Sequence, residues 1–192
     1  QKVAANVIAM DGTNWFSSFT IDKGSKEGIK KGMNVIAGSG LVGIVTDVGP
    51  NFAKVRSIID DSSNVSSMVL TTKDNFNVGG SLKSMNQDKV LPYTELRDED
   101  DKVKVGDPVV TSYVSDQYQE GILIGYIASI EKNANNLTKS GTITPVVDFQ
   151  HLREVLVITT LKDTGEKELS SQKASDTQTE TQDNTETQKS QE

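Results

Sequence analysis

Residues 20–48, TIDKGSKEGIKKGMNVIAGSGLVGIVTDV, decide the fold of this 192-residue chain. The stretch opens with three glycines, each directly after a charged residue: Gly24, Gly28 and Gly32. Such pairs are typical of turns, because glycine takes positive φ without steric cost. Two short β-branched runs follow, at 34–37 and 41–48, and Gly-Ser-Gly separates them. We therefore predict a β-hairpin.

A weaker copy of this pattern recurs at 103–130. The matched positions are Gly106 with Gly32, Val109-Val110 with Val35-Ile36, Gly121 with Gly40, and Gly125 with Gly43. The connection between the two strands is longer in the copy, from Ser112 to Glu120. Two related hairpins in one chain indicate two similar β units.

Residues 38–43 also match the nucleotide-binding pattern G-x-G-x-x-G, and Asp60 lies about where a ribose-binding acid is expected. That site needs a helix beginning at the third glycine, so that its N-terminal amides can hold pyrophosphate. Here the β-branched residues of 44–48 are poor helix formers, and Gly49-Pro50 would end any helix. We predict the hairpin and no bound cofactor.

The composition excludes several kinds of protein. Hydrophobic residues make up only 34 % of the chain, which suggests that part of it is unfolded. Since cysteine is absent, a thiolate nucleophile and a Cys-ligated zinc site are excluded. The formal net charge is −7, and no basic stripe is interleaved with aromatic residues, so we predict no nucleic-acid partner.

The sequence contains no membrane-spanning segment of its own, and the expectation of a membrane anchor rests on how the chain begins. No apolar run approaches the roughly 20 residues that a bilayer-spanning helix needs. The chain begins with Gln1 rather than Met. We therefore expect an excised segment whose membrane anchor lies upstream.

Twelve segments have the composition of short strands, and no segment has a convincing helical stripe. The predicted strands are 3–9, 15–21, 34–37, 41–48, 52–59, 65–71, 77–83, 89–93, 108–112, 121–130, 141–147 and 155–160. One helical turn is expected near 149–156. Short strands separated by turn residues at this spacing are typical of barrels and sandwiches.

The strand count predicts an all-β fold with two small six-stranded β-barrels in tandem. The polar run 60–64 is the natural boundary, and closed barrels remove exposed sheet edges. Five strands precede this boundary and seven follow it, so equal units require the last strand to return to the first one. We predict a first barrel from 3–60 plus 154–160, a second barrel over 61–150, and a disordered acidic Ser/Thr/Gln-rich tail over 163–192. Between residues 170 and 192 the only apolar residue is Ala174.

Catalytic and metal-binding patterns are missing from the sequence. The single histidine, His151, has Asp148 nearby, but no G-x-S-x-G stretch supplies a nucleophile. Residues 98–101 are all acidic, yet Lys102 and Val103 occupy the fifth and sixth positions of a would-be calcium loop. We predict no catalytic residue and no metal site.

The ordered set of motifs resembles the extracytoplasmic region of the MreC family of bacterial rod-shape-determining proteins, over roughly residues 3–160. The structural motif residues that carry the resemblance most clearly are Asp22, Gly24, Gly32, Gly40, Leu41, Val42, Gly43, Gly106, Asp107, Gly121 and Gly125. Two positions depart from the family pattern. Tyr113 stands where glycine is usual, and Gln119 stands where proline is common.

The resemblance implies a membrane protein with a single upstream transmembrane helix, a coiled coil through which it dimerises, and two six-stranded barrels outside the cytoplasm. The implied role is a noncatalytic scaffold that holds penicillin-binding proteins and other membrane proteins of the cell-elongation machinery. Such barrels are similar to those of chymotrypsin-like proteases.

Two alternatives remain open from the residues. The first is a degenerate or unrecognised hydrolase on a chymotrypsin-like double barrel. The second is a cell-wall glycan-binding module, which needs exposed aromatic side chains. The candidate aromatic residues are Trp15, Tyr93, Tyr113 and Tyr126.

Overall fold

The computed structural model describes residues 1–10, 15–134 and 137–162. The strands are β1 (Lys2–Met10), β2 (Ser18–Ile21), β3 (Asn34–Ala37), β4 (Gly40–Val48), β5 (Ala53–Ser57), β6 (Asn64–Val69), β7 (Asn75–Gly79), β8 (Leu91–Leu96), β9 (Pro108–Thr111), β10 (Leu123–Lys132), β11 (Lys139–Pro145) and β12 (Glu154–Ile158). One α-helix, α1, spans Leu82–Asp88. The all-β prediction is confirmed, and each predicted strand overlaps one observed strand.

Six strands close into a barrel in the order β4-β3-β12-β1-β2-β5, and β5 pairs back with β4. The last strand, β12, lies between β1 and β3, where Val157 is opposite both Val3 and Val35. The barrel is sealed where Val45 of β4 faces Val55 of β5. Closure leaves no free sheet edge along these pairings.

The six additional strands pair in the order β11-β8-β7-β6-β9-β10, and β10 also pairs with β11. The strand pairing that joins them to the barrel is parallel, with Leu123 of β10 opposite Gly40 of β4. The two hairpins that the sequence pattern related to each other therefore meet at this point.

Alternation along the strands builds the core. In β5, Ala53, Val55 and Ser57 are buried, whereas Lys54 and Arg56 are more accessible. The same period of two recurs in β7, where Phe76 and Val78 point inward. The largest fully buried side chains come from both groups of strands and from the segments that connect them: Phe19, Ile21, Ile29, Leu41, Ile58, Ile59, Leu91, Tyr93, Leu96, Ile124, Ile127 and Phe149.

Helix α1 was not predicted, and the strand predicted over 77–83 ends early. β7 ends at Gly79, and a Cβ at Gly80 would overlap the carbonyl group of Asp60, so only glycine fits directly after the strand. Ser81 then caps the helix, because its side chain accepts a hydrogen bond from the Ser84 N–H at 3.1 Å. Lys89, at a φ of 56°, ends it. Near 149–156, the chain turns at 149–150 without forming a helix.

The predicted tail, 163–192, lies outside the described residues. Within the described ranges, no helix has both the length and the apolar character that crossing a membrane requires.

Candidate functional site

Asp22, directly after β2, is hydrogen-bonded to Asn6 of β1. Its carboxylate accepts hydrogen bonds from the Asn6 backbone N–H at 2.8 Å and from Asn6 Nδ2 at 2.9 Å. These bonds hold the pKa of Asp22 below its ordinary value, and the bond from the Asn6 side chain has a larger effect than the bond from the Asn6 backbone. This motif residue thus makes a structural contact.

Gly24 and Gly32 are required by their surroundings in different ways. The Gly24 N–H donates to the Glu27 carboxylate at 2.8 Å, and a Cβ at position 24 would collide with the backbone of Gly49 and Phe52. Gly32 has a φ of 87°, which other residues adopt only with strain. Both glycines shape the connection between β2 and β3.

The motif Gly40-Leu41-Val42-Gly43 forms the first part of β4. Leu41 and Val42 are completely buried, and the strand continues through Val48. The glycine pattern is therefore followed by a strand and not by a helix N-terminus that could bind phosphate. The Asp60 carboxylate accepts a hydrogen bond from the Ser62 N–H at 2.9 Å.

Close packing explains the glycines at both ends of this motif. A Cβ at Gly40 would overlap the side chains of Val146 and Val147. A Cβ at Gly43 would overlap the backbone of Arg56 on the neighbouring strand β5. The first glycine contacts the additional strands, and the second lies inside the barrel wall.

The second hairpin repeats two of these features. Gly106 has a φ of 94°, as Gly32 does at 87°, and the Asp107 carboxylate accepts a hydrogen bond from the Lys104 N–H at 2.9 Å. A Cβ at Gly125 would overlap the Thr144 carbonyl oxygen, just as one at Gly43 would meet Arg56.

Gly121 departs from the alignment of the two hairpins. It has a φ of 83° and open space where a Cβ would lie, whereas Gly40 has a negative φ and little space. Gly38, at a φ of 58° and with open space, is the better structural match. The repeat therefore holds for the turn before each hairpin, where Gly106 matches Gly32, and for the second strand, where Gly125 matches Gly43. It does not hold for Gly121 and Gly40.

Asn34 ties the long connection between β9 and β10 to the barrel. Its Nδ2 donates to the Gln117 carbonyl at 2.9 Å, and its Oδ1 accepts from the Gln119 N–H at 2.8 Å. Tyr118, between these two residues, is buried, and burial raises its pKa to about 12. The two residues that depart from the family pattern differ in position: Gln119 is in this contact, whereas Tyr113 is exposed.

The four candidate aromatic residues do not form one surface. Trp15 and Tyr93 are buried, and the Trp15 indole N–H donates to Asn86 at 2.8 Å. Tyr113 and Tyr126 have 55 % and 43 % of their surface exposed. Only these last two are available to stack on a ligand.

His151 is hydrogen-bonded to an exposed carboxylate. Its Nδ1 is 2.8 Å from Asp148 Oδ2, and this hydrogen bond is the first cause that lowers the pKa of Asp148. Both side chains are mostly exposed. Among the described residues, no hydroxyl group is hydrogen-bonded to His151 as a nucleophile would be.

Two acids of the run 98–101, Asp98 and Asp101, contact Lys139. Lys139 Nζ lies 2.6 Å from Asp98 Oδ2 and 2.5 Å from Asp101 Oδ1. Burial alone would raise the pKa of Asp98, but the bond from Lys139 and the N–H groups of Lys102 and Val103 lower it below its ordinary value. The described residues contain no group of acidic and histidine side chains arranged for a metal ion.

A surface groove runs along the end of β1. It has a volume of about 530 Å³, and its walls include Ile8, Met10, Phe16 and Leu152. Ile8 is 59 % exposed and Met10 is 45 % exposed. The sequence predicted strand β1 but not this groove. The groove forms between β1 and the residues just before β12, which are far apart in the sequence.

Comparisons with known proteins agree on one family. The family model for the barrel core of the rod shape-determining protein MreC matches residues 7–159. The cell shape-determining protein MreC of Listeria monocytogenes is 35 % identical over 159 residues, which cover 80 % of this chain and 52 % of that protein. The chain spans about half the length of the curated relatives it matches.

Solved structures have the same fold. A solved structure of MreC from Listeria monocytogenes superposes with a TM-score of 0.73 at 33 % identity, covering 85 % of this chain and 79 % of that one. The MreC chain solved in a complex with PBP2 from Helicobacter pylori superposes with a TM-score of 0.60 at 12 % identity, covering 83 % of this chain and 100 % of that one. By its match over residues 7–159, the chain belongs to the MreC family of rod shape-determining proteins.

Proposed function

We propose that the chain is the extracytoplasmic part of a noncatalytic scaffold of the cell-elongation machinery, and that it maintains cell shape by organising peptidoglycan synthases. The family match over residues 7–159 carries the proposal. The matched relatives are named for cell shape and not for a reaction.

The partners in this proposal are penicillin-binding proteins and other membrane proteins of the elongation machinery. A solved complex joins PBP2 to an MreC chain of this fold. The exposed apolar side chains Ile8 and Met10, in the groove along β1, are suited to contact a protein partner.

The proposal includes the tandem arrangement and the membrane topology. The six additional strands form a second barrel, since β10 pairs with β11 and links the two ends of their order. The barrels divide the chain into 3–60 plus 154–160 and into 61–150. An upstream anchor holds the protein on the outer side of the cell membrane, and an upstream coiled coil makes it a homodimer.

The two alternatives are supported unequally. A hydrolase would need a nucleophile for His151, whose ring contacts Asp148 on the surface. A cell-wall glycan module has Tyr113 and Tyr126 as exposed aromatic side chains. Retention of the chain on purified peptidoglycan would support the glycan module.

Binding to a purified penicillin-binding protein ectodomain tests the scaffold proposal. We expect saturable binding by biolayer interferometry, and we expect Ile8→Ser combined with Met10→Ser to weaken it at least tenfold. The matched control is Val105→Ser, which removes an exposed apolar side chain from outside the barrel. Absence of binding to every penicillin-binding protein of the source organism would refute the partner class; equal loss in both variants would refute the β1 contact.

A further inference from the structure

A basic corner lies on the connection between β2 and β3. Residues 23–31 contain four lysines, Lys23, Lys26, Lys30 and Lys31, against the single acid Glu27. This local excess of positive charge stands out in a chain of formal net charge −7. Three of the four lysines are exposed, and Lys23 is half-buried.

Neighbouring acids offset this positive charge only in part, since Asp22 interacts electrostatically with Lys23 and Glu27 is the one acid within the run. The Glu27 carboxylate is occupied by the Gly24 N–H at 2.8 Å. Among the residues that the structure describes, none of the four ammonium groups lies within ion-pair distance of a carboxylate; the lysines that do are Lys102, Lys132 and Lys139. The positive charge is therefore available to an external anion.

The fold brings an aromatic side chain to the same corner. Backbone hydrogen bonds from Ser25 to Gly49 at 2.9 Å and from Lys26 to Pro50 at 3.2 Å hold the lysine-bearing turn against the next turn. Phe52 follows in that turn, and its ring lies over Gly49 with 39 % of the residue exposed. An accessible phenyl ring thus lies in the turn that is hydrogen-bonded to the lysine-bearing turn.

We propose that the basic corner, Lys23, Lys26, Lys30, Lys31 and Phe52, binds the surface of an anionic lipid bilayer. Flexible lysines on an open turn do not form a pocket for one small anion, but they suit a laterally extended anionic surface. A bilayer interface also takes up an aromatic side chain, which a fully hydrated soluble polyanion does not. This inference goes beyond the scaffold role and requires no protein partner.

Simple electrostatics makes the contact strong enough to measure. Each lysine close to an anionic membrane strengthens binding by roughly fivefold. The acidic remainder of the chain is screened at distances beyond about 8 Å at physiological ionic strength, so its net charge does not cancel the local attraction. Binding should therefore fall steeply as salt is added.

Vesicle co-sedimentation with the full chain tests the proposal. We expect binding to vesicles that contain about a third phosphatidylglycerol at about 0.05 M salt, loss of binding at about 0.5 M salt, and none to pure phosphatidylcholine. Lys30→Gln combined with Lys31→Gln should weaken binding by roughly 25-fold, the product of two fivefold losses. The matched control, Lys83→Gln with Lys104→Gln, removes the same charge elsewhere and should retain most of the binding.

A second variant separates lipid from soluble polyanion. Phe52→Ser should weaken vesicle binding but leave binding to soluble polyphosphate unchanged. Unaltered melting temperatures show that all variants are folded. The proposal is overturned if neutral vesicles bind equally well, or if the control variant, Lys83→Gln with Lys104→Gln, loses as much binding as the variant of Lys30 and Lys31. It is also overturned if Phe52→Ser leaves vesicle binding intact while polyphosphate competes fully.

Discussion

Asn34 and Gln119 are joined by a hydrogen bond of 2.8 Å that connects the barrel to the segment between β9 and β10. Asn34 is only 1 % exposed, and its Nδ2 donates at the same time to the Gln117 carbonyl. A single buried amide therefore satisfies one donor and one acceptor of a backbone that belongs to no strand. Loops at a protein interior need such partners, because an unpaired buried polar group is costly.

Asn34→Ala should lower the free energy of unfolding by about 2 kcal/mol, since it leaves both backbone groups without their partner. Urea denaturation measures the loss. Faster amide hydrogen exchange at Gln119 would locate it. Asn51→Ala, at an exposed position of the 49–52 turn, is the control and should be neutral. Unchanged exchange at Gln119 in Asn34→Ala would contradict the assigned role.

The buried ion pair between Asp98 and Lys139 predicts how stability depends on pH. The folded-state pKa of Asp98 is lowered, so its contribution is present above the unfolded value of about 3.9 and is lost as pH falls through the folded value. Asp98→Asn should cost roughly 3 kcal/mol near neutral pH, at the lower end for breaking a buried pair, because Asp101 still contacts Lys139.

Chemical denaturation across the acid range checks this prediction. The difference between the parent and Asp98→Asn should begin to narrow below about pH 4, where the carboxyl group of the unfolded parent takes up a proton. It should be lost only once pH falls below the lowered folded-state pKa of Asp98. Asp100→Asn is the control: its pair with Lys102 is exposed and should contribute little. A difference that stays constant with pH would mean that Asp98 acts through packing alone.

Gly125→Val should destabilise the protein by about 1–3 kcal/mol, because the added side chain would overlap the Thr144 carbonyl oxygen on the adjacent strand. Gly79→Val offers a matched control in another strand, where the nearest atom to an added Cβ is 3.9 Å away. Thermal melting compares the two. If Gly125→Val melts like the parent, Gly125 does not have the role that its match to Gly43 assigns to it.

The sequence predicted what local chemistry determines. Turn glycines such as Gly32 and Gly106 can be recognised from their charged neighbours and from the β-branched residues that follow. The strands can be predicted from the alternation of apolar and polar residues. The bond between Asn34 and Gln119 joins residues 85 positions apart, and nothing local marks it. Helix α1 was missed because its seven residues are too few to show a hydrophobic stripe.

Removing residues 165–192 should leave the free energy of unfolding unchanged. From 170 onward this tract contains one apolar residue, Ala174, so it has almost nothing to bury. Urea denaturation of the truncated and complete chains gives the comparison. A loss above about 1 kcal/mol, comparable to the loss of a packed contact, would show that the tract docks on the folded body.

The last prediction concerns self-association. The coiled coil in our proposal lies upstream, so a dimer of this chain alone would have to use the surface of the strands. Two copies tethered through a coiled coil meet at an effective concentration of order millimolar. Contacts of about 4 kcal/mol, which correspond to a millimolar dissociation constant, are then substantially occupied.

Most large apolar side chains of the described residues are buried in the core, which leaves limited apolar surface for one strong interface. We therefore expect the chain to be monomeric at low micromolar concentration and to dimerise when a parallel coiled coil is fused before Gln1. Sedimentation equilibrium distinguishes the two states, with a monomeric helix of equal length as the control fusion. A dimer that persists at nanomolar concentration without the coiled coil would place a strong interface on the folded body itself.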